Sequence, residues 1–361
     1  METLKQIARE FKSHNINSFF VGGFVRDMQL GITSDDIDIC LVGVKDKDVV
    51  HQILTRFSTK VTTEVGKKFS VWIAEIEGLG KVDFALARVE KKNGVSHTDF
   101  DVLTEDVTIE EDLSRRDLTI NAMAINVISN ELIDPFGGKE DLLSKVAREV
   151  SQAFAEDELR VIRAARFIAT FNLTAKFSLL KLCSTLSPDS ISRERIGMEL
   201  HKAMNNAVKP SEFFRFLNKV GWLKRIFPEV RALIGVQQDP TFHPEGDAFE
   251  HTMQCLDCAS DEFTRVVMLC HDLGKATTTK FDEKKQRWTA IGHEEAGVPL
   301  TLILLERLNW SNIKTRVQVS VLTELHMIHS KEIISDKCVR ETKRRLHSVG
   351  LTFAQLAEVC R

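Results

Sequence analysis

Gly22-Gly23-Phe24-Val25-Arg26-Asp27, followed by Asp36-Ile37-Asp38, is the stretch that decides the fold of this chain. The sequence predicts a short strand before the glycines, a helix after them, and a second strand that carries the aspartates. Side chains alternate along a strand, so Asp36 and Asp38 point to the same face. Hard divalent cations prefer oxygen ligands and usually keep a substrate phosphate in their shell. The aspartate pair therefore predicts a magnesium site that handles phosphate.

The glycine pair predicts the turn between that first strand and the helix. Gly22 and Gly23 let the backbone approach a triphosphate, and Arg26 adds a charge that can bind phosphate in a bidentate way. Each half of the pattern also has an ordinary structural explanation, because glycines often precede helices and most Asp-x-Asp pairs are solvated turns. The combination of the two halves favours a nucleotide-handling site.

A third acid and an arginine cluster extend this predicted site. Asp83 shares a strand face with small residues, which suits a metal ligand and equally suits an edge-strand acid in solvent. Arg115-Arg116-Asp117 predicts the start of a helix whose guanidinium and N–H groups face phosphates. Asp117 and Asn121, one helical turn apart, are candidates for hydrogen bonds to a ribose. A capping cluster is the structural alternative for this run.

The helix predicted at 156–167 has an apolar stripe and a charged stripe. Asp157, Arg160, Arg163 and Arg166 recur every three residues, and three arginines without an interleaved acid repel one another unless a polyanion compensates. A solvated charged face is the ordinary explanation. Cytosine and adenine, however, both present an exocyclic amine beside a ring-nitrogen acceptor, which a carboxylate next to a guanidinium complements. Asp157 and Arg160 therefore predict a protein template for C and A.

Composition limits the classes of function. The chain has 361 residues and a net charge of −3, so we expect two or three domains and a local basic patch wherever a polyanion binds. The charged N-terminus and the lack of a long apolar run predict a cytosolic protein without a membrane segment. Seven scattered cysteines suit reduced thiols. Cys255-Leu-Asp-Cys258, within a helical pattern, predicts buried free thiols rather than a zinc or redox pair.

Two composition shifts divide the chain. Strand patterns fade after Pro135-Phe136-Gly137-Gly138, and histidines concentrate after the break at 236–240. We expect a catalytic head at 1–138, a helical neck and body at 139–236 and a helical C-terminal domain at 237–361.

Together these motifs resemble the nucleotidyltransferase superfamily that includes DNA polymerase β. The segments 115–122 and 156–160 are similar to the Arg-Arg-Asp-x-Thr-x-Asn-Ala and Glu-Asp-x-x-Arg motifs of class II CCA-adding enzymes. The resemblance implies an α+β fold, with a polymerase-β-like head built on a small mixed or antiparallel sheet, an all-α neck and body, and an all-α HD domain. It also implies that Asp83 belongs to the catalytic set and that Arg163 and Arg166 bind nucleotide phosphates.

The resemblance implies addition of C, C and A to the tRNA 3′ end from CTP and ATP, with Mg²⁺ and without a nucleic-acid template. The segment 90–106 is long enough for the flexible loop that the family uses for the final adenosine. A bacterial poly(A) polymerase is the alternative, because Val65-Gly66-Lys67-Lys68-Phe69 partly resembles the signature of that group. A catalytically inactive tRNA-binding module is another, which the intact Asp36 and Asp38 disfavour. Both a monomer and a homodimer are compatible with the sequence.

The histidine-rich C-terminal region predicts a second metal site. His251, His271-Asp272 and His293 supply imidazoles and a carboxylate that suit a borderline transition metal. His271-Asp272-Leu-Gly-Lys resembles the HD metal phosphohydrolases. The resemblance implies 2′,3′-cyclic phosphodiesterase, 2′-nucleotidase and phosphatase activities supported by nickel. The usual metal set needs a further downstream acid, for which Glu324 beside the run at 325–329 is the nearest candidate. A structural HD domain without activity is the alternative.

Overall fold

The computed structural model describes residues 1–66, 69–92, 100–328 and 335–360. The chain divides into two compact units. The first contains Met1–Arg160 and Thr174–Leu182, and the second contains Val161–Leu173 and Cys183–Arg361. The three domains expected from the sequence, with boundaries after 138 and 236, stay a prediction. Among the described residues, no helix is long and apolar enough to cross a membrane.

A mixed β-sheet is the frame of the first unit. The strands of this unit are β1 (Asn17–Val21), β2 (Ile37–Val42), β3 (Lys60–Gly66), β4 (Phe69–Ile76), β5 (Gly80–Leu86), β6 (Val89–Lys92), β7 (Phe100–Leu103), β8 (Ala124–Asn126), β9 (Leu132–Ile133), β10 (Val146–Ala147) and β11 (Thr174–Ala175). Seven of them form one sheet in the order β3-β4-β5-β2-β1-β8-β9. Within this seven-stranded sheet, strands β2 and β5 are parallel, and all the other neighbouring pairs are antiparallel.

Helices cover the two faces of this sheet. They are α1 (Glu2–Ser13), α2 (Gly23–Gln29), α3 (Lys47–Phe57), α4 (Ile109–Ser114) and α5 (Gly138–Leu143). On one face, the buried ring of Phe11 in α1 lies 6.2 Å from the ring of Phe84 in β5. On the other face, Leu113 of α4 packs in a cluster with Phe19 and Cys40. Because side chains alternate along β2, Asp38 shares the face of Cys40, beside α4.

The helix that the sequence predicts from Arg115 onward does not form. Helix α4 ends at Ser114, and only a three-residue 3-10 turn, Thr119–Asn121, follows. The backbone N–H of Thr119 donates to Arg148 O, and that of Val150 donates to Asp117 O. These hydrogen bonds to residues 148–150 keep residues 117–119 extended. The segment therefore cannot form the predicted helix.

The second unit is helical except for a small hairpin. Helix α6 (Leu159–Phe171) begins in the first unit and continues in the second. Helix α7 (Phe177–Ser184) also begins in the first unit and ends in the second. Those that follow are α8 (Arg193–Asn206), α9 (Ser211–Lys219), α10 (Leu223–Ile226), α11 (Pro228–Arg231), α12 (Ala248–Cys258), α13 (Glu262–Cys270), α14 (Lys275–Thr278), α15 (His293–Arg307), α16 (Ile313–Leu325), α17 (Asp336–Ser348) and α18 (Phe353–Val359), with the hairpin β12 (Lys280–Asp282) and β13 (Arg287–Thr289) before α15.

Close packing of glycine backbones brings the histidine-bearing helices of the second unit together. A Cβ on Gly274, just before α14, would lie 2.0 Å from the carbonyl oxygen of His293 at the start of α15. Gly297, one turn into α15, would place its Cβ 3.3 Å from Thr323 of α16. Only glycine permits the first of these approaches, so the turn after His271-Asp272 is fixed against α15.

Candidate active site and histidine cluster

A cavity of about 230 Å³ lies on the sheet face that carries Asp38. Its walls come from β1, β2, β4 and β5 and from the segment around the end of α4. The charged side chains that line it are Asp38, Asp83, Arg88, Asp112, Arg115 and Arg116. Three of the residues predicted for the nucleotide site, Asp38, Asp83 and Arg116, therefore share one cavity.

The parallel pairing of β2 with β5 places Asp38 directly beside Asp83. Asp36 lies exposed, one residue before β2. The pKa of Asp38 is raised to about 6, chiefly by burial; Asp36 and Asp83 raise it further, and Arg116 opposes them. Asp36 and Asp83 thus disfavour the charged form of Asp38, which a divalent cation would stabilise.

Gly22 brings its backbone against two of the charged side chains. It has φ +67° and ψ −132°, a conformation in which side chains are strained. A Cβ at this position would lie 3.1 Å from Arg116 Nη1 and 3.6 Å from Asp38 Oδ2. Gly23 opens helix α2 directly after it. The glycine backbone thus lies against Arg116 and Asp38, and its approach to a triphosphate stays a prediction.

Asp112 is the functional residue that the sequence analysis missed. Its side chain is 1% exposed and accepts from Arg115 Nη2 at 2.6 Å and from Arg116 Nη2 at 2.9 Å. Burial alone raises the pKa of Asp112, but the two guanidinium groups more than offset this and lower it. Asp112 therefore fixes Arg116 with Nη1 toward Gly22. The spacing of three and four residues along α4 was the signal that could have revealed this pair.

Arg26 lies in a network within the protein. Its Nε and Nη2 donate to Asp27 Oδ1 at 2.9 Å and 2.7 Å, and its Nη1 donates to Asn121 Oδ1 at 2.8 Å. Asn121 Nδ2 in turn donates to Asp117 Oδ1 at 3.0 Å, and both of these residues are buried. The structure thus joins three predicted nucleotide-binding residues to one another, and it adds Asp27. Their contact with a nucleotide stays a prediction.

Asp157 and Arg160 lie at the start of α6, in the first unit. Asp157 Oδ1 accepts the backbone N–H of Leu159 at 3.1 Å, so the carboxylate caps the first turn. Arg160 Nη1 donates to the carbonyl oxygen of Ala153 at 2.6 Å. Both side chains are partly exposed and three residues apart, as the predicted template requires.

Arg163 and Arg166 belong to the second unit, where an acid from another helix compensates them. Arg166 Nε donates to Glu199 Oε2 of α8 at 2.5 Å, and the guanidinium lies 3.9 Å from the ring centroid of Phe167. Burial raises the pKa of Glu199, but Arg166 and Arg163 outweigh it and lower that pKa. A protein carboxylate 33 residues away thus supplies charge to Arg166, and binding of a polyanion by this arginine run stays a prediction.

The histidine cluster of the second unit is centred on Asp272. This carboxylate is 1% exposed. His271 Nε2 lies 3.2 Å and His251 Nε2 3.6 Å from its Oδ2, while His293 Nε2 lies 3.2 Å and His326 Nε2 3.8 Å from its Oδ1. All four residues predicted for the HD metal site are therefore together.

Backbone and carboxylate oxygens orient the four rings. The Nδ1 atom of each lies within hydrogen-bonding distance of such an oxygen: His271 with Met268 O at 2.7 Å, His293 with Ala290 O at 2.7 Å, His326 with Thr323 O at 2.6 Å and His251 with Glu245 Oε1 at 2.6 Å. A carbonyl oxygen only accepts, so the Nδ1 atoms of three rings carry the proton. Their Nε2 lone pairs are left for a cation, which is the arrangement of metal-binding histidines.

His326 takes the place of the downstream acid that the sequence analysis sought. Glu324, the candidate named from the sequence, is instead in an ion pair with Arg345. His329 lies outside the described residues. Cys255 is half-buried near His251, whereas Cys258 is exposed, so the expectation of two buried thiols was wrong for Cys258.

Known proteins resemble this chain in both sequence and fold. The sequence profile of the Poly A polymerase head domain matches residues 18–148. A Multifunctional CCA protein of Nitrosococcus oceani is 38% identical over 323 residues, which cover 87% of this chain and 75% of that protein. One of Xanthomonas campestris is 36% identical over 358 residues, which cover 95% and 83%. The chain belongs to the multifunctional CCA protein family.

Solved structures show that this family member has the fold of CCA-adding enzymes. A CCA-adding enzyme in complex with ATP superimposes with a TM-score of 0.65 at 20% identity, covering 99% of this chain and 76% of that one. A tRNA-processing enzyme with CTP gives a TM-score of 0.62 at 22% identity, covering 98% and 87%. The expected fold class, a nucleotidyltransferase head followed by helices, is confirmed.

Membership of a nucleotidyltransferase family implies a divalent cation in the head, and the residues fit one. Asp38 and Asp83 line the cavity with carboxylates, Asp36 lies one residue before β2, and Arg116 only partly offsets the rise in the pKa of Asp38. Oxygen donors select hard cations. The donor set of the second unit, mainly imidazole, suits a softer metal.

We predict that Asp112→Asn destabilises the first unit by about 3 kcal/mol, because it leaves two guanidinium groups without their buried counter-charge. The lowered pKa of Asp112 means that its contribution is present above the unfolded-state pKa and is lost as the pH falls through the folded-state pKa. Urea unfolding at a series of acidic pH values measures the loss in the free energy of unfolding. The same series measures the pH dependence of that free energy, which should be flatter in the variant. Glu110→Gln, exposed on the same helix, is the control, and a loss as small as that of the control would contradict the assignment.

Proposed function

We propose that this chain adds C, C and A to the 3′ end of tRNA from CTP and ATP without a nucleic-acid template. The observation that carries the proposal is the convergence of Asp38, Asp83 and Arg116 on one cavity beside Gly22. The names of the 36–38% identical relatives support CCA addition, and the tRNA-processing enzyme that shares the fold supports the tRNA substrate. Solved complexes of CCA-adding enzymes with ATP and with CTP, which share the fold, support the two nucleotides.

The chemistry of the head follows from its charges. Asp36 and Asp38, with Asp83 beside them, would hold Mg²⁺, which when bound neutralises triphosphate charge and polarises the α-phosphate. Arg116, held by Asp112, presents Nη1 to phosphate oxygens next to the Gly22 backbone. The tRNA 3′-hydroxyl oxygen bonds to the α-phosphorus in line as the bond to pyrophosphate breaks. Asp83 accepts the hydroxyl proton.

Nucleotide choice is proposed to come from Asp157 and Arg160. The carboxylate accepts the exocyclic amine of cytosine or adenine, and the guanidinium donates to the adjacent ring nitrogen. Uracil and guanine present a carbonyl and an N–H at this edge instead. The carbonyl then faces the carboxylate, acceptor against acceptor, and the N–H faces the guanidinium, donor against donor. Arg163 and Arg166 are proposed to bind nucleotide phosphates, with Glu199 setting the orientation of Arg166.

A poly(A) polymerase is the rival within the same chemistry. The segment 65–69 that suggests it lies partly outside the described residues, as does the loop within 90–106. The relatives at 36–38% identity carry the CCA name, which favours the CCA enzyme.

We predict that the purified chain incorporates CMP into tRNA lacking its terminal CCA when CTP is the only nucleotide. Asp38→Asn should lower the rate by at least about a hundredfold, because it removes a negative charge that would hold the metal ion against the triphosphate. Gel analysis of labelled tRNA measures both, with exposed Asp35→Asn as the matched control. Absence of cytidine incorporation together with growth of A tails from ATP would establish the rival, and full activity in Asp38→Asn would refute the metal site.

We predict that Asp157→Asn lowers the preference for CTP over UTP by about ten- to a hundredfold, since the new amide can donate to the uracil carbonyl. Asparagine retains the helix cap, so folding is spared. The ratio of kcat/KM values for the two nucleotides measures the effect, with the neighbouring Glu158→Gln as control. An unchanged ratio would exclude the template role.

A second activity is favoured by the histidine cluster. We infer metal-dependent hydrolysis of phosphate esters, with 2′,3′-cyclic phosphates, 2′-nucleotides and simple monoesters as substrates. The supporting observation is that four oriented imidazoles surround the buried carboxylate of Asp272. Burial alone raises the pKa of Asp272, but His271, His293 and Lys275 hold it well below its usual range, so the carboxylate stays charged. Imidazole donors suit nickel and its neighbours.

We predict that nickel-loaded protein hydrolyses 2′,3′-cyclic AMP and that Asp272→Asn abolishes this hydrolysis while CMP addition continues, because the two sites use different residues. Phosphate-ester assays and tRNA assays on the same preparation measure both activities. The exposed His347→Ala is the control for loss of a histidine elsewhere. Undetectable hydrolysis by the unmodified chain would support the alternative, a structural HD domain.

A further inference from the structure

Solvent reaches the histidine cluster from the side of His251. The ring of His251 is partly exposed, whereas Asp272, His271, His293 and His326 are buried. A substrate must therefore approach the cluster past His251. The side chains beside His251 are then the ones that contact the rest of the substrate.

His243 lies beside this open side, and Phe242 precedes it in the chain. The ring centroids of His243 and His251 are 4.7 Å apart. Glu245 Oε1 lies 3.0 Å from Nδ1 of His243 and 2.6 Å from Nδ1 of His251, so it joins the two rings. Phe242 is 66% exposed. Consecutive Cα atoms are about 3.8 Å apart, so Phe242 lies within the length of a nucleotide from His251.

Hydrogen bonds fix the loop that carries Phe242. The backbone N–H of Phe242 donates to Asp239 O at 3.1 Å. The neighbouring Gln238 accepts from Lys275 Nζ at 2.7 Å, and the same ammonium lies 2.7 Å from Asp272 Oδ2. The loop is therefore tied to the carboxylate at the centre of the cluster, and the exposed ring is held close to it.

An arginine lies over the exposed ring. The guanidinium carbon of Arg287, in β13, is 5.7 Å from the ring centroid of Phe242, a distance at which a cation is attracted to an aromatic face. Arg287 Nη1 also lies 3.6 Å from Asp239 Oδ2. The hairpin is thus linked to the loop at the open side of the cluster.

A second exposed apolar side chain follows the same strand. Ile291 comes two residues after the end of β13 and two residues before His293, and it is exposed. Single exposed apolar side chains are ordinary on protein surfaces. Here two of them, Phe242 and Ile291, lie next to clustered histidines, and a guanidinium lies over one of them.

We propose that Phe242 and Arg287 form a nucleobase-binding subsite beside the histidine cluster. The base of a nucleoside phosphate stacks on the Phe242 ring, and its phosphate reaches the cluster past His251. Every base has an aromatic face, so the subsite selects nucleotides over other phosphate esters without selecting one base. The proposal rests on the inferred hydrolase, and it specifies which part of the substrate, besides the phosphate, the chain binds.

The side chains of the subsite suit a base better than a sugar or a short alcohol. An aromatic ring offers a flat apolar face, on which a base stacks and a polyol does not. The guanidinium of Arg287 is planar and donates hydrogen bonds to the ring nitrogens and carbonyl oxygens at the edge of a base. An ester without a base therefore contacts the cluster alone.

Two substrates with the same reacting group test the subsite. 2′-AMP and glycerol 2-phosphate are both monoesters of a secondary alcohol, and the first alone carries a base. We would load the full chain with nickel and measure kcat/KM for both. We expect the unmodified chain to prefer 2′-AMP by at least about tenfold, the size of one stacking interaction. Equal values for the two esters would overturn the subsite.

Substitutions at Phe242 test the stacking itself. Phe242→Ala should lower kcat/KM for 2′-AMP about tenfold more than that for glycerol 2-phosphate, chiefly through KM. Phe242→Trp should keep the preference for 2′-AMP. Phe281→Ala is the matched control, because Phe281 is exposed on the face of the hairpin opposite to Arg287, and it should change neither value. An equal loss on both esters in Phe242→Ala would show a structural role and overturn the proposal.

The same variants distinguish a free nucleotide from the end of an RNA chain. We would compare 2′,3′-cyclic AMP with a tRNA that ends in a 2′,3′-cyclic phosphate. The substrate whose kcat/KM falls more in Phe242→Ala is the one whose base occupies the subsite, and no fall for either would overturn the subsite.

Binding without hydrolysis separates the subsite from the hydrolase. Adenosine carries the base and no phosphate, and saturation-transfer NMR measures its binding to the nickel-loaded chain. The head is identical in Phe242→Ala, so weaker binding by this variant reports on the second unit. Undetectable hydrolysis together with weaker binding by Phe242→Ala would reject the hydrolase and support the subsite. Hydrolysis of both esters with unchanged adenosine binding would do the reverse.

Discussion

The repulsion between carboxylates on neighbouring strands is the constraint on which the head depends. The parallel register of β2 and β5 places Asp38 beside Asp83, and burial makes their coexistence more costly. Arg116 offsets part of this cost and is itself held by the buried Asp112. Gly22, at the N-terminus of helix α2, places its backbone against Arg116 and Asp38 of the same cavity. The head thus carries an excess of carboxylate charge at this cavity, which suits the divalent cation that its family implies.

The charged groups of the histidine cluster in the second unit differ from those of the head. The cluster has one buried carboxylate surrounded by imidazoles, whereas the head has three neighbouring acids. Because hard cations follow oxygen and softer cations follow nitrogen and sulfur, the two units of one chain can draw on different metals in the same solution. Ligand chemistry would therefore direct different metals to the two proposed sites.

Local patterns were sufficient to predict part of this structure and insufficient for the rest. Asp36-x-Asp38 and His271-Asp272 were found because their ligands are adjacent in sequence and strand alternation or a helix end orients them. Glu199 and His326 were missed because their partners lie tens of residues away, and only tertiary packing joins them. The arginine run of α6 therefore looked uncompensated. Likewise, the helix expected after Arg115 failed because pairing with a distant segment overrode local preference.

The hydrogen bonds that orient His271, His293 and His326 have a consequence for how this site evolves. Each ring is held by the main-chain oxygen of the residue three positions earlier, namely Met268, Ala290 and Thr323. Every amino acid carries such an oxygen, so a substitution at these positions that keeps the backbone in place leaves the hydrogen bond unchanged. A search for correlated substitutions around the histidine cluster will therefore not detect these three main-chain contacts.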